Sequence, residues 1–591
     1  MKANFKPLGL AAAVAAASAG YAGMANAQPQ ISTNDIGDAA LIPYYTVQAG
    51  FGTGFHVINT SDRTQVVKFR FRRGSDSLDA LDFNIVMSPY DEWTGFMNDS
   101  DGTMAVTTQD TTCTAPLFES GRFEVPNIYR SGADEGYIEV IAMGSPRDED
   151  MPLAYFAEHA GDDGLPRNCQ FVEDNFLDAL FGRTLSEPDP RGVHTNLASA
   201  GLWDADEDDA FFRYCPGADD ESDGEADICV TEYEDGGDFL KVSWFIRDAA
   251  AGLEFGNDAV HLAGFSDDAM MTHQEQGVFS GNLRGFDFPN LNGSAPATSD
   301  SPFADVSSLY DFGPWVPELE KYEAIRGTDV LGVTSVINDW SDNPDLNVGT
   351  DWIVTIPGQY IMLDQPLWGL TLGNPGGLDP TQPGGIIGGA VDEDGETIMC
   401  GSNYASGGGS VELPVCDHRD LPVVANFAVW DREENLAAPP PGDRDVVVSP
   451  SIPGLPPTST VLRYEVNVIH WSGTEVLASD YDEVDVSGLT GLVDGVSGWA
   501  KLSVRSRSSV TGAPLGKICT WDPDYFDPAA QTLPGQALYD PNMPMDCADV
   551  DPAGKPPMIG FVAWQRSFPD NPDGNYGRAV EHSFESGSIN W

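Results

Sequence analysis

Apolar and polar side chains alternate at every second residue through much of this sequence, and this alternation most constrains its fold. It is clearest in residues 66–72, where three apolar and three basic side chains interleave: Val67, Phe69 and Phe71 with Lys68, Arg70 and Arg72. Successive side chains of a β-strand point to opposite faces of the sheet. The pattern therefore predicts a half-buried strand.

The same alternation predicts strands along the rest of the chain. They lie at Phe55 to Asn59, Phe83 to Met87, Tyr137 to Ala142, Phe239 to Ile246, Val330 to Ile337, Trp352 to Ile356, Val423 to Trp430, Leu462 to Trp471, Trp499 to Val504 and Ile559 to Trp564. Turn-forming side chains at Asn59 to Asp62 predict a hairpin between the strand at Phe55 to Asn59 and the strand at residues 66–72. Helical spacing of apolar residues predicts one helix, at Asp174 to Leu185.

Many short strands together with 63 Gly and 43 Pro predict an all-β protein. We expect two antiparallel β-sandwich (Ig-like) domains, over residues 28–330 and 331–591, with long disulfide-stapled loops. The first would carry an acidic loop at 204–238. The second would carry a Gly-rich loop at 369–409 and a Pro-rich loop at 436–457.

Residues 1–27 have the features of a secretory signal peptide. Two lysines precede an Ala-rich apolar stretch, and Ala25-Asn-Ala27 is an A-x-A cleavage site. No later stretch approaches the 18 or so apolar residues of a membrane-spanning helix. We therefore expect an exported protein at the cell surface or outside the cell, with the periplasm as an alternative.

The chain has 92 acidic and 30 basic side chains, a formal net charge of -62. Such a chain repels phosphates, which argues against binding to nucleic acid or to an anionic membrane. Salt screens the mutual repulsion of its own acids. The charge therefore favours a saline or marine medium, divalent cations, or both.

The eight cysteines are expected to form disulfides, because export places them in an oxidising compartment. Their distribution suggests nearest-neighbour pairing. The predicted pairs are Cys113 with Cys169, Cys215 with Cys229, Cys400 with Cys416, and Cys519 with Cys547.

Several of these strands resemble a family of uncharacterised exported bacterial proteins, labelled only as cell-surface or hypothetical. The segments that carry the likeness are Ile42-Pro-Tyr-Tyr-Thr-Val-Gln48, Asn59-Thr-Ser-Asp62 through Arg73, Asp82-Phe-Asn84, Ser88-Pro89, Trp93-Thr-Gly95, Gly136-Tyr-Ile-Glu-Val140, Asp351-Trp-Ile-Val-Thr355, Asp431-Arg-Glu-Glu434 and Tyr464-Glu-Val-Asn467. The resemblance implies a surface-exposed structural role, and it carries no activity and no catalytic residue.

A candidate metal site lies in the acidic loop. Carboxylates at alternate positions resemble the first half of a Ca²⁺-binding loop: Asp219, Glu221, Asp223, Glu225 and Asp227. The match is partial, because Val230 stands where an EF-hand has a bidentate acid. The alternative is a solvated acidic loop between Cys215 and Cys229. A second, weaker candidate is Asp392-Glu-Asp394-Gly-Glu396.

Other side chains allow binding roles, each with a structural alternative. Six tryptophans could form a sugar-stacking platform: Trp93, Trp315, Trp340, Trp352, Trp368 and Trp471. We expect Trp352 and Trp471 to fill the core, and Trp340 and Trp368 to lie in loops as the better binding candidates. The basic strand face could dock an acidic neighbouring copy or pair internally with Asp76, Asp79 and Asp82.

Three functions remain open. The first is a non-catalytic surface or extracellular structural protein, bridged by Ca²⁺ to itself or to other surface components. The second is a secreted glycan- or ligand-binding module, which would require exposed tryptophans on one face. The third is a secreted hydrolase that uses carboxylates. Because the chain lacks the sequence motifs of common hydrolases and nucleotide-binding enzymes, no catalytic residue is assigned and a non-enzymatic role is preferred.

Overall fold

The computed structural model describes residues 29–176, 233–270, 330–358, 423–439, 456–506, 517–521, 545–549 and 555–586, with short gaps, and isolated residues between them. Within these residues the chain is mostly β-sheet, and its strands pair almost entirely antiparallel. The predicted all-β class is confirmed. No helix of the described residues has both the length and the apolar composition needed to cross a membrane.

Fourteen of the described strands come from residues 30–263. They are β1 Gln30–Ile31, β2 Ala39–Thr46, β3 Gly52–Asn59, β4 Gln65–Arg73, β5 Asp79–Met87, β6 Glu92–Asn98, β7 Ala105–Thr107, β8 Cys113–Ala115, β9 Arg122–Glu124, β10 Glu135–Pro146, β11 Tyr233–Glu234, β12 Leu240–Asp248, β13 Leu253–Asp258 and β14 Val260–Ala263. Two short helices, α1 Pro152–Ala157 and α2 Cys169–Phe176, lie between β10 and β11.

The other described strands come from residues 335–585. They are β15 Ser335–Ser341, β16 Val348–Thr355, β17 Val423–Asp431, β18 Ser459–Leu462, β19 Val466–His470, β20 Val484–Asp485, β21 Ser497–Ser506, β22 Lys517–Trp521, β23 Met545–Asp549, β24 Ile559–Arg566, β25 Tyr576–Glu581 and β26 Ser583–Glu585. One helical turn, α3 Ser487–Thr490, follows β20.

These strands form four main sheets and one two-stranded ribbon. Sheet one has the order β1-β14-β2-β10-β4-β5-β8, with β11 beside β10, and sheet two has the order β13-β12-β3-β6-β7-β9. Sheet three has the order β18-β17-β21-β15-β26, and sheet four has the order β20-β19-β16-β24-β25. The ribbon pairs β22 with β23. Each main sheet is built from one half of the chain.

The largest apolar core contains the inner side chains of sheets one and two and then continues onto sheet four. Between the first two sheets, the rings of Phe55 and Phe69 lie 4.9 Å apart. On sheet four, Ile353 and Phe561 belong to this same core, and the Phe561 ring lies 4.7 Å from that of Trp244 on sheet two.

Sheet four has two buried faces. Trp352 and Val562 point into a second core shared with sheet three, whereas their neighbours Ile353 and Phe561 point to the first half of the chain. A strand with both faces buried is apolar at consecutive positions, which explains the unbroken Trp-Ile-Val run of β16.

The predicted hairpin between the strands now seen as β3 and β4 is wrong, although its turn is present. The Asn59 side chain accepts a hydrogen bond from the Ser61 amide at 3.0 Å and donates to the Arg63 carbonyl at 2.6 Å. However, β3 pairs with β6 and β12 in sheet two, and β4 pairs with β5 and β10 in sheet one. The turn therefore carries the chain from one sheet to the other.

The basic face of β4 is buried and not exposed, so it is not available to dock a neighbouring copy. Lys68 lies 2.5 Å from Asp82, and Arg70 lies 3.8 Å from the same carboxylate. Arg72 and Glu139, both fully buried, lie 3.0 Å apart. Internal pairing, the other alternative, is what the structure shows, because buried charges require a counter-charge.

Several element boundaries differ from those predicted; the strand predicted at Val330 to Ile337, for example, is found at Ser335–Ser341. Helix α2 begins at Cys169 and overlaps the predicted helix only at residues 174–176, and residues 177–185 lie outside the described residues. The predicted strand Leu462 to Trp471 is interrupted between β18 and β19. There the Asn467 side chain donates a hydrogen bond to the Tyr464 carbonyl at 2.6 Å, a local contact that competes with continued strand pairing.

Candidate functional site

Two tryptophans are stacked on the outer face of sheet three. In β17 the side chains of Ala425, Phe427 and Val429 point inward, so Trp430 points outward. The same alternation turns Trp499 outward on β21. The two residues are cross-strand partners, and their rings are nearly parallel at 9° with centroids 4.1 Å apart. Trp499 is 40% exposed.

A cleft with a volume of about 310 Å³ lies beside this pair. Its lining residues are Asp339, Trp340, Asp431, Arg432, Glu434, Gly498, Trp499 and Trp564. Trp340 comes from sheet three and Trp564 from sheet four, so the cleft lies where these sheets approach each other. The indole nitrogen of Trp564 is shielded from solvent and has no hydrogen-bond partner among the described residues.

Asp431 organises the acidic side of the cleft. Its carboxylate accepts hydrogen bonds from the Asn435 side chain at 2.9 Å and from the backbone amides of Glu433 and Asn435 at 3.0 and 2.8 Å. The Asn435 side-chain hydrogen bond, supported by the backbone amides, lowers the pKa of Asp431 below its usual range. The carboxylate is therefore ionised and holds the turn that carries Arg432 and Glu434, while Asp339 lies exposed on β15.

Gly498 allows the backbone to close behind the cleft. A Cβ at this position would lie 1.9 Å from the Trp430 carbonyl oxygen. The same oxygen accepts a hydrogen bond from the indole nitrogen of Trp340 at 3.0 Å. The glycine therefore lets β21 approach β17 where the stacked pair and the buried indole meet.

The cleft combines flat apolar rings with charged groups at its edge. An indole face suits the apolar C–H face of a pyranose ring, and carboxylates accept hydrogen bonds from hydroxyl groups. Arg432 adds a donor, and the Arg578 guanidinium lies 5.6 Å from the Trp564 ring centroid. A polyhydroxylated ring is the kind of ligand that such a surface can hold.

Of the six tryptophans that the sequence suggested for a sugar-stacking platform, Trp340 lines the cleft. Trp93, Trp352 and Trp471 are fully buried in the cores, as the structural alternative predicts. Trp340 is in strand β15 and is 1% exposed, so its assignment to a loop is wrong, although it forms the base of the cleft. Trp315 and Trp368 lie outside the described residues.

Trp430, Trp499 and Trp564 were not predicted from the sequence as site residues. A signal was present for the stacked pair, because alternation within the predicted strands assigns Trp430 and Trp499 to the polar face. The contact between the two rings could not be predicted from either strand alone, because it depends on the pairing register of β17 and β21.

The residues of the first predicted calcium site lie outside the described residues: Asp219, Glu221, Asp223, Glu225 and Asp227. The second candidate, Asp392 to Glu396, lies outside them as well. The disulfide between Cys113 and Cys169 is confirmed. Cys519 and Cys547 are direct cross-strand partners in the β22–β23 ribbon, and their pairing stays a prediction. The remaining four cysteines, Cys215, Cys229, Cys400 and Cys416, also lie outside the described residues.

A second polar cluster surrounds His470 at the end of β19. Its Nδ1 lies 3.0 Å from Asp351 and its Nε2 lies 3.1 Å from Asp482. Burial by itself lowers the pKa of His470. The hydrogen bonds that His470 makes with Asp351 and Asp482, together with the negative charges of these two residues, outweigh burial and raise the pKa to about 9. The free imidazole is therefore protonated at neutral pH. Glu475 offers a carboxylate oxygen close to both His470 and Asp482.

Residues 475–482, here called the clasp segment, also reach the first half of the chain. Glu135 of β10 accepts hydrogen bonds from the Ser479 hydroxyl at 2.7 Å and from the Asp480 amide at 2.5 Å. Tyr44 donates to the same carboxyl group at 2.7 Å. Burial raises the pKa of Glu135 to about 7, although these hydrogen bonds partly offset it.

Comparison with known proteins finds no matching family model, no matching curated protein and no matching solved structure. The resemblance to exported surface proteins stays a prediction. The functional argument therefore depends on the sites themselves.

Proposed function

We propose that this chain is an exported, non-catalytic interaction protein that binds a neutral glycan in the cleft beside Trp499. In this proposal, sheets one and two form one Ig-like sandwich unit, sheets three and four form a second, and the division lies near residue 330. The single observation that carries the binding function is the exposed Trp499 ring, stacked on Trp430, at a cleft with carboxylates.

The exposure of this pair supports a binding role. Large aromatic side chains are normally buried, and an exposed apolar patch beside a concave surface is typical of a binding site. Stacking two indoles with their planes 9° apart also restrains the Trp499 ring before a ligand arrives. A restrained ring loses less conformational freedom on binding.

The charge of the molecule supports a neutral ligand. With a formal net charge of -62, the surface disfavours polyanionic glycans such as sulfated or uronic-acid polymers. The exposed Asp339 and Glu434 offer acceptors for sugar hydroxyls, whereas the buried Asp431 carboxylate holds the turn that carries Glu434. Hydrogen bonds that involve a charged acceptor are stronger than those between neutral groups.

The hydrolase alternative would need two acids in one cleft with pKa values driven apart. Two acids whose pKa is raised to about 7, Asp38 and Glu135, are buried in the first half of the chain. In the cleft, the pKa of Asp431 is lowered. The cleft therefore supports ligand binding better than acid catalysis. Bridging by Ca²⁺ stays a prediction, since its residues lie outside the described part of the chain.

Affinity electrophoresis through gels that contain xylan, a β-1,3-glucan or hydroxyethyl cellulose tests the proposal. At least one of these neutral polymers should retard the wild-type protein. Replacing Trp499 with Ala should weaken the retarding interaction by about tenfold or more, since an aromatic anchor contributes about 2 kcal/mol to an interface.

Phe239→Ala is the matched control, because Phe239 is also 40% exposed but belongs to the first half of the chain. It should migrate like the wild type. The glycan proposal fails if none of the neutral polymers retards the wild type, or if the Trp499 and Phe239 variants are retarded equally.

A further inference from the structure

The cluster around His470 carries more negative charge than its described neighbours balance. Asp351, Glu475 and Asp482 place three carboxylates around one imidazole. Among the described residues, no Lys or Arg side chain forms an ion pair with any of the three acids. The cluster therefore brings one imidazole and three carboxylates together, a set of donor atoms that a divalent cation can bind.

Asp351 holds the imidazole in the orientation that metal ligands adopt. It is the cross-strand partner of His470, and one carboxylate oxygen contacts Nδ1 at 3.0 Å. The other oxygen accepts hydrogen bonds from the backbone amides of Val476 and Leu477 at 2.8 and 2.9 Å, so the carboxylate cannot rotate freely. A carboxylate on one ring nitrogen directs the other nitrogen, here Nε2, toward a metal.

The Nε2 atom lies 3.1 Å from Asp482, and Glu475 is the other acid of the cluster. One ligand atom each from His470, Glu475 and Asp482 lies within 4.8 Å of the other two. A tetrahedral ion with bonds of about 2.0 to 2.2 Å needs its ligands about 3.3 Å apart. Glu475 is exposed and Asp482 is 39% exposed, so rotation of these two side chains closes the difference without moving the core.

We propose that His470, Glu475 and Asp482 bind a zinc ion, with Asp351 as the outer partner of the histidine. The ion takes the place of the Nε2 proton that faces Asp482, and this proton is released to solvent on binding. One nitrogen and two carboxylate oxygens suit Zn²⁺, whereas Ca²⁺ and Mg²⁺ take sets composed of oxygens. The fourth position is left for water or for an atom of a ligand. This site is distinct from the glycan cleft and from the predicted acidic calcium loop.

Zinc at this position would fasten the clasp segment at both ends. Glu475 opens the segment and Asp482 closes it, and both would join the same ion as His470 on β19. Between them, Val476 and Leu477 enter the apolar core shared with the first half, and Ser479 and Asp480 bond to Glu135. The ion would therefore stabilise the contact between the two halves.

Isothermal titration of the metal-free, full-length protein with Zn²⁺, and with Co²⁺ as a spectroscopic probe, tests the site. We expect one tight equivalent, visible Co²⁺ bands of low coordination number, and a higher Tm with Zn²⁺. Glu475→Gln and Asp482→Asn should each weaken this equivalent by about tenfold or more, since even outer-shell changes cost about 10- to 100-fold.

Glu483→Gln is the control, because this neighbouring acid is exposed and lies 3.9 Å from Arg463. It should bind Zn²⁺ like the wild type. Binding that is unchanged in both the Glu475 and Asp482 variants would assign any zinc to another part of the chain and overturn the proposal. The same holds if the wild type shows no tight equivalent and no change in Tm.

Discussion

At the residue scale, the Glu135 carboxyl group makes the stability of this protein dependent on pH. Burial raises its pKa from 4.5 to about 7 in the folded chain. The folded state therefore holds a proton that the unfolded state has released at pH values between 4.5 and 7. The contribution of Glu135 to stability is then greatest below pH 4.5 and is lost as the pH rises to about 7.

Replacing Glu135 with Gln should remove this dependence, because glutamine resembles the protonated carboxyl group in shape and neutrality. The unfolding free energy of the variant relative to the wild type should rise by up to about 3 kcal/mol from pH 4.5 to pH 8, whereas the hydrogen bond lost because the Gln NH2 group cannot accept lowers it equally at both pH values. Urea unfolding at the two pH values measures the difference.

Glu254→Gln, which changes an exposed acid, serves as the control for charge alone. A difference between the Glu135 variant and the wild type that is equal at both pH values would contradict the assigned cause. Asp38, whose pKa burial also raises to about 7, adds a pH dependence of the same sign that both proteins share.

At the element scale, a single disulfide attaches helix α2 to the edge of sheet one. Cys169 begins α2 and Cys113 begins the edge strand β8. The helix adds Phe171 and Val172 to a small apolar cluster over that sheet. An eight-residue helix is too short to be stable by itself, so it depends on this attachment and on packing.

Replacing Cys113 and Cys169 together with Ala should therefore release α2 first. The bond closes a loop with a sequence separation of 56 residues, for which the chain-entropy model gives a loss of about 4 kcal/mol. Hydrogen exchange should increase in residues 169–176 more than in the centre of β10. Equal protection of α2 with and without the disulfide would show that packing alone holds the helix.

At the scale of the whole molecule, sheet four joins the two halves because both of its faces are buried. Phe561 packs against Trp244 of the first half, and Phe427 of sheet three packs only in the second core. Phe561→Ala should cost about 3 to 5 kcal/mol and should speed hydrogen exchange in both halves.

Phe427→Ala is the matched control. Phe427 is also buried, at 2% exposed, so its truncation leaves a similar cavity but in the second core. Its effect on exchange should be concentrated in sheets three and four. If Phe561→Ala leaves the protection of β3 and β12 unchanged, the halves are energetically independent despite their shared core.

Local alternation predicted strands such as β4, β12 and β17, because successive Cβ atoms of an extended chain point to opposite sides, but it did not predict β2, whose residues are all buried. Only the tertiary structure decided what each face meets. It buried Lys68, Arg70 and Arg72 as ion pairs, joined β3 and β4 to different sheets, and brought Asp351 beside His470. Alternation with a period of two assigns side chains to the two faces of a strand. The strand's partners and its register depend on contacts that are distant along the chain, and these contacts determine whether the second face meets solvent or another sheet.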